Sequence, residues 1–213
     1  MSQQAILEQG IADAGLVISQ PTQQKLLAYL ALMQKWNKVH NLTAVRDPDE
    51  MVTLHLLDSL AVLPVIDGKS LLDVGSGAGL PGIPLAICLP ELKVTVIDSN
   101  QKKVSFMRQA KAELGIANLE VLGGRVEEIQ PDHKFDIVIS RAFSDLSLFI
   151  SLTYQLCDAH GKWLAMKGVY PDAELVELEQ KTKLKPSKVE VLKVPGLEAQ
   201  RHLVFLPYQQ VSI

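Results

Sequence analysis

Between Leu71 and Ala86 the chain reads LLDVGSGAGLPGIPLA: an apolar run breaks into glycines after one acid, Asp73, and then turns apolar again. Glycine reaches left-handed backbone conformations without a steric penalty and lets a main chain approach a neighbour closely. A strand that ends in such a turn and re-enters as a helix points backbone N–H groups beyond the strand's carboxyl end. Open α/β sheets hold nucleotide-type ligands at that place. The stretch therefore asks for a parallel sheet around it.

The flanking sequence supplies one. From residue 70 onward the short apolar runs Leu71–Val74, Val94–Ile97, Leu119–Leu122 and Ile137–Ile139 alternate with longer stretches of helical composition. That alternation is the mark of βαβ units with helices on both faces of a sheet. Trp163–Met166, Val189–Val194 and Leu203–Leu206 follow, and the short Pro195–Gln200 loop makes the last two an antiparallel hairpin. Upstream, Leu26, Leu27, Leu30, Met33 and Trp36 recur at spacings of three and four, a helix with one buried stripe. Asp47 is placed to cap a second helical start, with Pro48 at its first position and Glu50 where a capping box puts its acid. The expected organisation is a helical extension over residues 1–65 packed on a core over 66–213, one structural domain in all.

With 213 residues, 47% of them hydrophobic, the chain is long enough to bury a core of its own. Two cysteines, Cys88 and Cys157, lie in apolar segments, too few for a disulfide framework and without zinc spacing. No metal site and a reducing, cytoplasmic setting are expected. The sequence has no apolar run of membrane-spanning length, and MSQQAILEQG lacks the features of a signal peptide, so neither export nor a membrane span is expected. A net charge of −3 draws no polyanion on its own, and a nucleic-acid partner would need a locally basic surface.

Two glycine patterns overlap in the loop. Gly77 to Gly82 matches the dinucleotide G-x-G-x-x-G, whereas Asp73 to Gly79 reads D-x-G-x-G-x-G. In the dinucleotide pattern the first glycine turns directly off the strand, but here Gly75 does so and Gly77 comes later, which puts that match out of register. Pro81 removes an N–H from the helix start, and Asp73 would repel a pyrophosphate. An ammonium and a sulfonium would instead be favoured near that acid. S-adenosyl-L-methionine carries both, and D-x-G-x-G-x-G followed by an acid at the end of the next strand, here Asp98, resembles the class I methyltransferase signature. In that reading Gly75, Gly77 and Gly79 give backbone access to the ligand, and Asp98 takes its ribose hydroxyls. After the third strand, the Val126 backbone and the Glu127 side chain face an adenine edge, or Glu127 is a solvated first-turn acid. An N-P-P-Y-like amide clamp is missing after the fourth strand, as is a nucleophilic cysteine. Guanine N7 fits what remains, because its lone pair lies in the ring plane and no proton has to be removed. A nicotinamide-dependent oxidoreductase and another class I methyltransferase substrate stay as alternatives.

The stretches Trp36–Thr43, His55–Leu60, Asp73–Pro84, Ser140–Phe143 and Arg201–Val204 together resemble the bacterial small-subunit rRNA guanine-N7 methyltransferases, the glucose-inhibited division protein B family. The resemblance implies a Rossmann-like, doubly wound sheet with a C-terminal antiparallel hairpin and a helical N-terminal extension. It also implies methylation of a guanosine in a decoding-region loop of 16S rRNA, free, in an assembly intermediate or in the small subunit. By position it puts cofactor contacts on Gly75, Leu80, Val126, Glu127 and Arg141, with Asp98 and Ser99 on the ribose. Arg141 and Asn41 are the expected catalytic residues. Asn37 and Asn41, one helical turn apart, form a polar face at the pocket mouth or a C-cap. His55 and Asp58 are expected to pair and brace the N-terminal helices. Lys102, Lys103, Arg108 and Arg125 are expected to contact RNA phosphates, Lys111 adding to the same basic side. A monomer without membrane association completes the reading.

Overall fold

The computed structural model describes residues 1–141, 143 and 145–210; Ala142 of the Ser140–Phe143 stretch lies outside the described residues. Seven strands form one sheet: β1 (Ser70–Val74), β2 (Lys93–Asp98), β3 (Leu119–Gly123), β4 (Phe135–Ser140), β5 (Cys157–Lys167), β6 (Lys188–Val191) and β7 (His202–Pro207). Their order is β3-β2-β1-β4-β5-β7-β6, parallel from β3 to β5, with β7 antiparallel to both of its neighbours. The expected hairpin is present, although β6 stops at Val191. Strand β5 is longer than its apolar segment because it begins at Cys157, and its register against β4 shifts between Phe135 and Ile137.

Alternate residues of each strand feed opposite cores. Leu71, Ile137 and Ile139 face one cluster, which also takes in the helices α5 (Gly82–Cys88) and α6 (Gln101–Leu114). Leu72 and Val138 face the other, with α7 (Leu146–Thr153) and α8 (Asp172–Thr182). On the first side the N-terminal helices α1 (Gln3–Asp13) and α2 (Gln20–His40) continue the same core. Trp36 and Tyr29 of α2 pack on Phe106 of α6, with ring centroids 5.7 and 6.0 Å apart. The helical stripe of α2 is as expected, with Leu26, Leu30 and Met33 fully buried.

Asp47 caps the short helix α3 (Pro48–Met51), accepting from the Asp49 and Glu50 amides. The helical path then widens into one π turn over Val52–Leu57 before α4 (Asp58–Leu60). Such widened turns are concentrated at functional sites, and this one carries His55 and leads into Asp58. Among the described residues no helix is long and apolar enough to cross a membrane.

The turn from β1 into α5 is closed by its own acid. Asp73 is fully buried, and its Oδ2 accepts from the Gly82 amide, the first residue of α5, at 2.8 Å. Gly82 is required for this approach: a Cβ there would stand 2.5 Å from Val96 Cγ1 and 2.8 Å from Asp73 Oδ2. The expectation of an Asp73 charge facing the ligand is thus corrected. The carboxyl latches the helix start from inside the fold, and burial pushes its pKa up to about 7, against the lowering effects of the Gly82 amide and Arg141.

A buried acid with a raised pKa holds its proton in the folded state between its unfolded value and about 7, so its contribution to stability is lost as pH rises through that window. His55 works in the opposite sense, with a pKa lowered to about 4. The difference between wild type and Asp73→Asn isolates the acid, because both proteins contain His55. Urea melts from pH 4.5 to 7.5 should show the variant gaining stability relative to wild type, by up to about 1 kcal/mol per pH unit. A difference independent of pH would contradict a buried, proton-binding Asp73.

Candidate active site

The glycine turn is fixed from three directions. The Gly75 and Ser76 amides donate to the Ile97 carbonyl at 2.9 and 3.1 Å, and Ser76 Oγ donates to the Asp73 carbonyl at 2.7 Å. From β2, Asp98 Oδ2 accepts from the Gly77 amide at 2.8 Å while its Oδ1 accepts from the Asn100 amide at 2.8 Å. From α2, the fully buried Tyr29 hydroxyl donates to the Ala78 carbonyl at 2.6 Å. Gly75, Gly77 and Gly79 all have positive φ, +68°, +62° and +94°. A Cβ at Gly77 would meet nothing but Lys103 Nζ, at 3.9 Å, so it would stand in open cavity.

Two cavities flank this turn. The first, of about 180 Å³, runs along the carboxyl ends of β1, β2 and β3 and is lined by Asp98, Ser99, Val126, Glu127 and Phe143, among others. The second, of about 260 Å³, lies over the turn itself, bounded by Gly75, Gly77, Leu80, Lys103, His55 and Arg141. The expected cofactor residues Gly75, Leu80, Asp98, Ser99, Val126, Glu127 and Arg141 are therefore brought together around the two spaces. Gly79 lines neither; a Cβ there would collide with Ile83 at 2.4 Å, so its role is the tight re-entry into α5. Among the described residues no cluster of histidine, cysteine or acids is arranged to hold a metal ion. Burial raises the thiol pKa of both Cys88 and Cys157 to about 12.

Arg141 leaves the end of β4 and crosses toward the N-terminal helices. Its Nη1 donates to Asp58 Oδ2 at 3.0 Å and to the Leu54 carbonyl at 3.2 Å. The other oxygen of Asp58 accepts from Nε of Arg201 at 2.8 Å. The expected His55–Asp58 pair is thereby corrected: Asp58, almost wholly buried, is taken by two guanidiniums, while His55 Nε2 sits 3.0 Å from Thr43 Oγ1. Desolvation first, and then Arg141, lower the His55 pKa, so the imidazole is neutral at pH 7. Lys167, also buried, donates to the Phe143 carbonyl at 2.7 Å and pairs with Glu174 at 2.6 Å, pinning the segment after β4 to α8.

Several expected roles fall elsewhere. Asn41 is the C-cap of α2 in a left-handed conformation, φ 50°, exposed and hydrogen-bonded to Arg46 at 2.7 Å; it lines neither cavity, which sets it apart from Arg141 as a catalytic candidate. Asn37 is buried and holds the following loop through the Thr43 amide and the Val45 carbonyl. Of the expected phosphate contacts, Lys102 and Arg108 are exposed on α6. Lys103 instead turns inward, 4.0 Å from Asp98, and Arg125 pairs with Glu127 at 3.3 Å on the cavity rim. Lys103 and Arg125 are thus engaged at the cavity rim, apart from the exposed Lys102 and Arg108. Tyr29 was hidden in an apolar stripe, and Arg201 carried no signal beyond its place in the family-like stretch.

The family model described as GidB, rRNA small subunit methyltransferase G, matches residues 22–204. The chain is 64% identical over 204 residues to the "Ribosomal RNA small subunit methyltransferase G" of Methylobacillus flagellatus, covering 96% of this chain and 98% of that one. It is 52% identical to the protein of the same name from Nitrosospira multiformis, covering 94% and 95% of the two chains. Among solved structures, a SAM-dependent methyltransferase from Aquifex aeolicus superposes with a TM-score of 0.58 at 21% identity, over 81% of this chain and 96% of that one. An O-methyltransferase from Bacillus cereus superposes with a TM-score of 0.61 at 14% identity, over 85% and 91%. At that identity the likeness is one of fold, that of the class I methyltransferases. With the sequence matches spanning nearly its whole length, the chain belongs to the GidB family, rRNA small subunit methyltransferase G.

Proposed function

We propose that the protein transfers a methyl group from S-adenosyl-L-methionine to N7 of a guanosine in the decoding-region loop of 16S rRNA. It acts as a monomer in the cytoplasm, on the small ribosomal subunit or an assembly intermediate. One observation carries the cofactor reading: the first amide of α5 is spent on buried Asp73, so the helix start offers no cradle for a pyrophosphate, while open cavity remains over Gly77. A nicotinamide dinucleotide would need that cradle. The residues present fit S-adenosyl-L-methionine. Ser99, Val126 and Glu127 border the slot for its adenosine end. The two oxygens of Asp98 each keep lone pairs for the ribose hydroxyls beyond the amides they already accept. Lys103, at the mouth of the glycine-turn cavity, suits the carboxylate of the amino-acid end.

When bound, S-adenosyl-L-methionine supplies a methyl on a sulfonium sulfur, which keeps the carbon–sulfur electron pair as the acceptor's lone pair forms the new bond. The protein's part is to hold the acceptor in line and keep water out. Beside Arg141, neither Asp58 nor His55 is suited to taking a proton at neutral pH. Asp58 is occupied by two arginines, and an imidazole with a pKa of about 4 is a poor base there. Guanine N7, which bears no proton, needs none. Phosphate contacts fall to exposed Lys102 and Arg108.

Asp98→Ala removes the ribose acceptor and the brace on Gly77 together. Calorimetry should show affinity for S-adenosyl-L-methionine falling by about 1 to 3 kcal/mol, with NAD binding absent in wild type and variant alike. Near-native affinity in a folded Asp98→Ala protein, or saturable NAD binding by wild type, would contradict the assignment.

A further inference from the structure

A third cavity, of about 320 Å³, opens on the far side of Arg141, and His55 and Arg141 are walls common to it and the glycine-turn cavity. Its polar lining is dominated by donors: Arg141, Arg201 and Lys167 carry no acceptor. Lys167 is already committed to Phe143 and Glu174. The two arginines are not fully committed. Arg201 spends Nε on Asp58 and Nη1 on the Gln200 carbonyl, and Arg141 spends Nη1 on Asp58 and Leu54. Among the described residues, Nη2 of each makes no bond. His55 Nδ1 is likewise buried without a partner in the wall between the cavities. Leu54 and Met166 supply apolar surface beside these groups, as a planar ring requires.

Burying Asp58 between two guanidiniums is costly on desolvation grounds, and a pair of apolar residues would often serve stability as well. What the triad provides is geometry: two planar forks, from β4 and from the residue before β7, locked on one carboxylate with a net charge of +1. A recognition edge made only of acceptors matches it. The major-groove edge of guanine, N7 and O6, is such an edge, whereas adenine places an amino donor beside N7.

We propose that this cleft holds the acceptor base, turned out of its stack, and that Arg201, positioned by Asp58, donates from Nη2 to guanine O6 and so selects guanine over adenine. This rests on the methyl-transfer reading above. With O6 held there, N7 is directed across Arg141 to the glycine-turn cavity. Asp58 also limits the positive charge facing a ring that becomes cationic on methylation.

The test uses small subunits reconstituted with 16S rRNA carrying guanine or 2-aminopurine at the methylated position; 2-aminopurine keeps N7 and lacks O6. Single-turnover methylation by wild type should favour guanine by about 5- to 150-fold. Arg201→Ala, which leaves Asp58 paired with Arg141 and whose fold is checked by circular dichroism, should lose most of that preference, and Arg201→Lys, which keeps a cation for Asp58, should be intermediate. RNA affinity against salt is measured in parallel and should keep its slope. If Arg201→Ala retains the wild-type preference, or wild type has none, the assignment is overturned. A salt slope lower by about one with the preference intact would instead make Arg201 a phosphate contact, and would equally overturn it. Failure of wild type to methylate the guanine-bearing subunit would be a failure of the functional reading, separate from these outcomes.

Discussion

The site depends on a glycine turn that cannot hold its own shape. The three alternate glycines 75, 77 and 79 adopt left-handed conformations that cost folding entropy and give no side-chain packing in return. The shape is imposed by side chains from three elements: Asp73 under the helix start, Asp98 from the neighbouring strand, and Tyr29 from a helix far upstream. Each satisfies a main-chain group that would otherwise be buried or misdirected, and the amide of Gly77 and the carbonyl of Ala78 are held on adjacent residues by opposite partners. The cavity over Gly77 is what this bracing leaves open.

The N-terminal helices therefore do more than cover one face of the sheet. Tyr29 reaches the turn, Asn37 fixes the loop that brings Thr43 to His55, and the widened helical turn delivers His55 and Asp58 beside Arg141. Asp58 in turn ties the N-terminal segment to the middle of the chain and to its C-terminal part, since its two oxygens hold Arg141 and Arg201. The cavity along β1, β2 and β3 is built at the sheet's edge, the glycine-turn cavity adds Thr43 and His55 from the N-terminal segment, and the cleft beyond Arg141 lies where the helices, the end of β4 and the segment before β7 meet.

The sheet, the hairpin and the glycine turn were legible because their signals are local: alternating apolar runs, glycines at a strand end, an acid one strand later. Tyr29 was not, since a tyrosine between Leu26 and Leu30 reads as one more member of a buried stripe, and its hydroxyl partner is 49 residues away. Lys102 and Lys103 looked equivalent as charge, yet neighbouring positions on a helix point about 100° apart, so one meets solvent and the other the glycine turn. Sequence does not show burial, so Asp73 has there the look of a charge facing a ligand; in the fold it is a latch. The Asp58–Arg201 contact spans 143 residues and had no sequence signature.

One hydroxyl of an upstream helix braces the glycine turn in the shape that leaves the cavity over Gly77 open. The direct measurement is the affinity of Tyr29→Phe for S-adenosyl-L-methionine by calorimetry, with its fold checked by circular dichroism. Loss of the bond leaves the buried Ala78 carbonyl unpaired, at a cost of about 1 to 3 kcal/mol. The expected result is a folded variant, less stable than wild type, that binds the cofactor several-fold or more weakly. A folded Tyr29→Phe protein with wild-type affinity would show that the turn keeps its shape without the helix, and would contradict the account.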